Sequence, residues 1–200
     1  MACHTVRVYV MRHVKTAMNQ QRQYMGWTDA PIIEEVEPLQ WLPEHVVSSD
    51  LQRCIQTAHG YFPQTPLIIE PRLRELCFGD FEGKTYQDLQ HNATYRQWID
   101  DPHKYTPPNG EPFMTFTRRV LTSFVEHVAN ETVFVVHGGV MRAILAEFAP
   151  QQQDFWQYEA THDHYYVLAW DNIEQVKEGR RCKYLSVVPI VAKQHTSNNS

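Results

Sequence analysis

Cysteine is scarce in this chain and does not cluster. Cys3, Cys54, Cys77 and Cys182 are scattered, with no C-x-x-C spacing, which argues against a disulfide scaffold and for free thiols in a reducing compartment. Long apolar runs are missing too, since no stretch approaches the ~20 residues that cross a bilayer. The opening MACHTVRVYVMRH carries its charges inside the apolar run, and no small-residue cleavage site follows it, unlike a signal peptide. A cytoplasmic protein without a membrane partner is expected. Positive charge is also in short supply: 18 Lys and Arg face 23 Asp and Glu, and no basic tract stands out. Nucleic-acid binding therefore has no electrostatic support. Repeats, low-complexity segments and dividing linkers are absent as well. One domain over 1–192 is expected, with a polar, disordered tail at 193–200.

What remains is ordinary globular composition, 42% apolar and 20% charged over 200 residues, enough for one well-packed core. Two short apolar runs organise it. Residues 6–11 deliver Arg12 and His13, and residues 132–136 deliver His137, Gly138 and Gly139. Continuous runs of this length read as buried strands, and in open α/β sheets ligands bind at the carboxyl ends of strands. Further strands are expected at 45–47, 66–70, 165–170 and 184–190, with a charged turn around 177–181. Helices are expected at 51–60, with Ser48, Ser49 and Asp50 supplying its N-cap chemistry, and at 138–148. A third helix, beginning at Pro112, carries an apolar stripe of Phe113, Phe116, Val120, Leu121, Phe124 and Val128. Residues 15–31 read as a loop. Residues 32–42 allow a helical turn or two before Pro38 stops it. The aromatic, proline-studded stretch 84–112 reads as two short helices and a loop, a cap-like insertion. Strands alternating with helices give an α/β fold, a three-layer α/β/α sandwich on a mainly parallel sheet.

Arg12 with His13, Arg53, and His137 all fall at strand-to-helix junctions, where free backbone N–H groups favour anions. The arginine fork matches phosphate oxygens. Together they describe a pocket for a dianion, in which a histidine serves as nucleophile, acid or passive donor. Singly, each has a plainer reading. A strand-end histidine is more often structural than catalytic, a helical arginine is by default solvated, paired glycines allow close packing, and Glu75 and Glu82 are by default surface acids. The joint pattern is what counts.

Six ordered motifs carry a resemblance over about residues 6–148. They are Arg12-His13-x-x-Thr16-x-x-Asn19; Gly26-Trp27-x-Asp29-x-Pro31; Ser48-Ser49-Asp50-Leu51-x-Arg53-x-x-Gln56-Thr57-Ala58; Leu73-x-Glu75-x-x-Phe78-Gly79-x-x-Glu82-Gly83; Asn109-Gly110-Glu111; and Val136-His137-Gly138-Gly139-Val140-x-Arg142. In this order they resemble the histidine phosphatase superfamily, which includes the phosphoglycerate mutase family and the compact alpha-ribazole phosphatase-like phosphatases. The resemblance implies a phosphoglycerate mutase-like fold and a metal-independent phosphoric monoester hydrolase that needs no cofactor. It implies that His13 attacks phosphorus to form phosphohistidine on a small phosphorylated metabolite. Arg12, Arg53 and His137 would hold the phosphoryl oxygens, with Asn19 and Gly138 assisting. Glu75 would protonate the leaving oxygen; Glu82 is the runner-up for that acid, although its place in the motif matches a supporting position, and Thr16 and Gly26 are secondary candidates. The motifs do not separate hydrolysis from mutase-type phosphoryl transfer, or from a non-catalytic phosphate-binding protein, and a homodimer is compatible with them.

Two positions depart from the pattern. Val14 and Lys15 stand where the family usually has glycine and then Glu or Gln. Valine removes the option of positive φ beside the nucleophile. Lys15 either touches substrate phosphate or points to solvent. His162-x-His164 has the look of a metal pair without a third ligand at metal-like spacing, so no metal is expected.

Overall fold

The computed structural model describes residues 5–190; Cys3 and the tail expected at 193–200 lie outside them. The elements run in order as β1 (Val6–Arg12), α1 (Ala17–Gln20), β2 (His45–Ser48), α2 (Gln52–Tyr61), β3 (Leu67–Ile69), α3 (Tyr86–Leu89), α4 (Ala93–Asp100), α5 (Phe113–His127), β4 (Thr132–Val136), α6 (Gly138–Phe148), β5 (His164–Trp170), α7 (Ile173–Lys177) and β6 (Tyr184–Pro189). The strands form one sheet in the order β3-β2-β4-β1-β5-β6. β3, β2, β4 and β1 pair in parallel, while β5 runs antiparallel to both β1 and β6. Only β5 is reversed, so the sheet is mainly parallel, as the alternation of elements predicts.

Alternating side chains of the central strands build two cores. Val8, Val10, Phe134 and Val136 pack on one face with α5 and α6 residues such as Phe116, Phe124, Ile144 and Phe148. Met11, Val133 and Val135 pack on the other with Cys54, Ala58 and Tyr61 of α2. Helices thus cover both faces, which is the three-layer sandwich. Each fully buried Val or Phe contributes roughly 1.5–3 kcal/mol. Phe124 ties the layers together, with ring centroids 4.8 Å from Phe134 and 5.2 Å from Phe148.

The strand order positions the site. Arg12 of β1 lies opposite Val136 of β4, and Ser48 of β2 opposite Val135. The residues just beyond these three parallel strand ends, His13, His137 and Ser49, therefore emerge side by side.

Several local expectations are corrected. The 15–31 segment is not all loop: Thr16 and Asn19 form a capping box that starts α1. Residues 32–42 form no helix. Val36, Leu39 and Trp41 pack irregularly over the α2 face instead, where Gly60 lets the Val36 side chain approach the helix backbone. The N-cap of α2 does not come from Ser48, Ser49 or Asp50. Ser48 Oγ donates to the Ser49 carbonyl, and Asp50 binds Arg74 at 2.7 Å. The Gln52 N–H instead meets Asp29 Oδ1 at 2.8 Å, across 23 residues of chain. Pro112 caps α5 rather than forming its first residue, and the short helix α7, ahead of the charged turn at 177–181, is an unexpected element. Among the described residues, no helix is long and apolar enough to cross a membrane, and Cys54, Cys77 and Cys182 are free thiols.

Candidate active site

The four polar groups, Arg12, His13, Arg53 and His137, come from three motifs and converge at the β1 and β4 tips. His13 and His137 have ring centroids 5.3 Å apart in an edge-on arrangement, and Arg53 Nε donates to His137 Nδ1 at 3.2 Å. The Arg12 guanidinium lies against Gly138, the first residue of α6. Arg53 does not project outward as its helical position suggests. It is fully buried, and its two terminal nitrogens donate to the Thr28 and Gly26 carbonyls at 2.8 and 2.7 Å. Those carbonyls hold the guanidinium plane fixed.

The tautomers follow from the partners. His13 Nδ1 faces the Val14 carbonyl at 2.7 Å; a carbonyl only accepts, so Nδ1 carries the proton and Nε2 the free lone pair. Burial, then the charges of Arg12 and Arg53, hold the His13 pKa well below its ordinary value, leaving the ring neutral. His137 accepts from Arg53 at Nδ1, so in its neutral form it carries the proton on Nε2, 2.9 Å from Ser49 Oγ. It too is neutral, through burial and then Arg53. Arg12 donates to the Ala160 carbonyl at 2.6 Å, while its Nε is buried with no partner among the described residues. Burial lowers its pKa to about 10, so it stays charged at neutral pH. A buried guanidinium N–H beside two neutral imidazoles suits an anion.

Glu75 stands across from this cluster. Its carboxylate accepts from Gly139 N at 2.7 Å and Leu76 N at 2.8 Å. A side chain at Gly139 would collide with it, so that glycine makes room for the acid. The Glu75 carbonyl is held by Trp27 Nε1 at 3.0 Å and by Arg119 at 2.9 Å. Glu82 has a different place. Its carboxylate gathers the N–H groups of Gly26, Trp27, Thr28 and Phe78 at 2.9–3.1 Å, which shapes the loop whose carbonyls hold Arg53. Thr16 is buried and caps α1. Asn19 spends its side-chain oxygen on Thr16, 3.1 Å away, leaving its NH₂ as the remaining donor where it lines the cavity.

That cavity, about 450 Å³, opens between Arg12, Glu75 and Gly138 on one side and Tyr24, Phe78, Trp98, Ile99, Pro102 and Trp156 on the other. Tyr24, Tyr95 and Trp98 also pack on one another, so the 84–112 segment both packs and lines. Arg142 is the other cation in the wall. Val14 fits without strain. It lies outside the positive-φ residues, its side chain is buried, and its N–H donates to Thr57 Oγ1 at 2.9 Å.

Comparisons with known proteins identify the family. Residues 8–181 match the model of the histidine phosphatase superfamily, branch 1. The chain belongs to that superfamily. Among its relatives, the adenosylcobalamin/alpha-ribazole phosphatase of Salmonella typhimurium is 31% identical over 160 residues, 70% of this chain and 78% of that one. Solved folds include the alpha-ribazole phosphatase of Shigella flexneri, with a TM-score of 0.71 at 22% identity over 94% of this chain and 96% of that one. The phosphoglycerate mutase of Thermus thermophilus has a TM-score of 0.67 at 27% identity, over 92% and 99%. With superfamily membership comes the enzyme class, a metal-independent phosphatase.

Three groups escape the motifs. Arg119, on α5 outside its apolar stripe, uses its side-chain donors on Glu111 and on the Arg72, Arg74 and Glu75 carbonyls. No local pattern marks it; only the nearby acid Glu111 gives a hint. Trp156 lines the cavity from a 3₁₀ turn, Phe155–Gln157, and carries no signal beyond being aromatic. His162 does not form a metal pair with His164. Its Nδ1 meets the His13 carbonyl at 2.6 Å, while His164 bonds Asp163. Lys15 is exposed and lines a second cavity with Arg12 and His162.

Proposed function

We propose that this chain hydrolyses a small phosphorylated metabolite in two steps through phosphohistidine on His13, in the cytoplasm. Neutral His13 attacks phosphorus through Nε2, forming the P–N bond as the P–O bond to the leaving group breaks. Arg12 and Arg53, with His137, the Asn19 NH₂ and the Gly138 backbone N–H, hold the phosphoryl oxygens, where the transition-state charge spreads. The Glu75 carboxyl gives its proton to the leaving oxygen. It then takes one from water, which attacks phosphorus, breaks the P–N bond and restores His13. The observation that carries this reading is the buried Arg12 Nε, without a partner among the described residues, beside a histidine whose free lone pair is fixed on Nε2.

The wall of the cavity speaks to the substrate. Tyr24, Phe78, Trp98, Ile99 and Trp156 offer an apolar surface, and among the described residues Arg142 is the one cation there besides Arg12. A phosphate monoester with a flat, apolar body fits better than a short phospho-acid such as phosphoglycerate, so hydrolysis is favoured over mutase transfer. The relatives' names make alpha-ribazole phosphate the first candidate.

The test is phosphate release from p-nitrophenyl phosphate and a panel of phosphorylated metabolites, with and without chelator. A parallel incubation contains 3-phosphoglycerate and a bisphosphoglycerate primer. Release that survives chelator, without 2-phosphoglycerate, is expected. Formation of 2-phosphoglycerate would mean a mutase, and vanadate binding without turnover would mean a phosphate-binding protein.

A further inference from the structure

His162 lies outside all six motifs, two residues before β5, yet it sits beside the nucleophile. Its ring stands edge-on to the His13 ring, with centroids 5.4 Å apart and planes 70° apart. Its Nδ1 is 2.6 Å from the His13 carbonyl; since the carbonyl only accepts, the imidazole donates. The oxygen it holds and the Val14 N–H belong to one planar peptide unit. The other end of that unit is held by Thr57 Oγ1 at 2.9 Å, and Thr57 is tied in turn to the Arg53 carbonyl at 2.6 Å. The next carbonyl, of Val14, is the one that orients the His13 ring. Rotation of the 13–14 peptide would therefore carry the ring with it.

We infer that His162 is a positioning residue for the nucleophile: together with Thr57 it clamps the His13–Val14 peptide from both ends, so that His13 Nε2 stays aimed at the phosphorus. The inference rests on the phosphohistidine reading above. Burial and then Arg12 lower the His162 pKa to about 4, so at neutral pH the ring holds the carbonyl without adding a third cation beside Arg12 and Lys15.

Asparagine places its Nδ2 where the histidine has Nδ1, so it keeps the donor; leucine keeps bulk but loses it. For His162→Ala, kcat on p-nitrophenyl phosphate is expected to fall on the order of 10- to 100-fold, the scale of an ångström-sized misplacement, with KM within about twofold. His162→Asn is expected to return kcat to within about threefold of wild type, while His162→Leu stays near the alanine value. An unchanged kcat in His162→Ala, a leucine variant as active as the asparagine one, or a loss appearing only in KM each overturns the inference. If the alanine chain does not fold, the Asn–Leu pair decides alone. Orthovanadate titration gives a readout without turnover, since vanadate takes a fifth ligand from the nucleophile. Wild type and His162→Asn are expected to bind it alike, and His162→Leu at least about fivefold more weakly, roughly 1 kcal/mol. Vanadate affinities in that order from a chain that never releases phosphate would leave the clamp standing and remove the hydrolase reading; equal affinities would remove the clamp.

Discussion

The buried floor of the site and the wall of its cavity are built by opposite means. On the floor, Arg53 donates to two carbonyls and to His137 Nδ1, the Val14 carbonyl holds His13 Nδ1, and all three side chains are nearly inaccessible. On the wall, Trp156 is 57% exposed and Ile99 38%, and the lining comes from loops and short helices distant in the chain. A phosphoryl site must hold charge in a fixed geometry, so it needs partners that cannot move. A site for an apolar body needs area and shape, which loosely held side chains supply. Loss of a floor group should therefore appear in kcat, and loss of a wall group in KM.

The sharpest test of that division is His13→Ala. Removal of the proposed nucleophile should lower kcat on p-nitrophenyl phosphate by about 10⁴-fold or more, the scale seen when a nucleophile is deleted, with the fold retained by circular dichroism. Residual turnover within tenfold of wild type would move the chemistry elsewhere. Next comes the charge-holding pair: Arg12→Ala or Arg53→Ala should each cost about 10²–10³ in kcat. Arg53→Ala should also lower the Tm more than Arg12→Ala does, because the Gly26 and Thr28 carbonyls both lose their donor, whereas Arg12 holds the Ala160 carbonyl alone. Equal Tm values in the two variants would contradict the account of Arg53 as a structural brace.

Glu75 stands between floor and wall, and its variant reads the leaving group. Glu75→Gln should cost about tenfold more on an alkyl phosphate than on p-nitrophenyl phosphate, because nitrophenolate needs no proton to depart. Equal losses on the two substrates would take Glu75 out of the acid role.

The buried histidines give the floor a pH signature. His13 and His137 have pKa values lowered in the folded state, so the unfolded chain binds their protons first, near pH ~6.5. Their neutral burial leaves stability unaffected above that pH, and stability falls as pH drops through it, because the unfolded state binds more protons. The Tm should therefore drop from pH 7 to pH 5. Over the same range kcat/KM should not show a histidine limb near ~6.5, because the free enzyme's nucleophile is still unprotonated there. A limb centred on that value would show that His13 titrates like an ordinary histidine.

What is legible in the sequence divides along the same line as floor and wall. Arg12-His13 and His137-Gly138-Gly139 can be placed because each ends a short buried run, and parallel neighbours put their tips together. Arg53 falls in the right set but on the wrong side of its surroundings: a helix period shows a face, and the carbonyls of Gly26 and Thr28 that bury it come from a loop with no period. For the same reason sequence reasoning assigns the N-cap of α2 to the adjacent Ser48, Ser49 and Asp50, when Asp29 is the one that reaches it. Spacing pairs His162 with His164, although its partner is 149 residues away. Local patterns give elements and their ends; partners brought by the tertiary fold leave no periodic trace.

The smallest effect is expected on the wall. Trp156 is more than half exposed, lies about 6.0 Å from the Arg142 guanidinium, and borders the cavity without touching the phosphoryl cluster. Trp156→Ala should leave the Tm nearly unchanged, as an exposed substitution does, and should leave kcat on the best metabolite within about twofold. Its KM for that metabolite should rise about fivefold, the equivalent of roughly 1 kcal/mol of lost apolar contact, while inhibition by inorganic phosphate stays put. The phosphate control matters because an anion alone reaches only the floor. If phosphate inhibition weakens in step with substrate binding, the wall is shaping the charge site after all, and floor and wall are one unit.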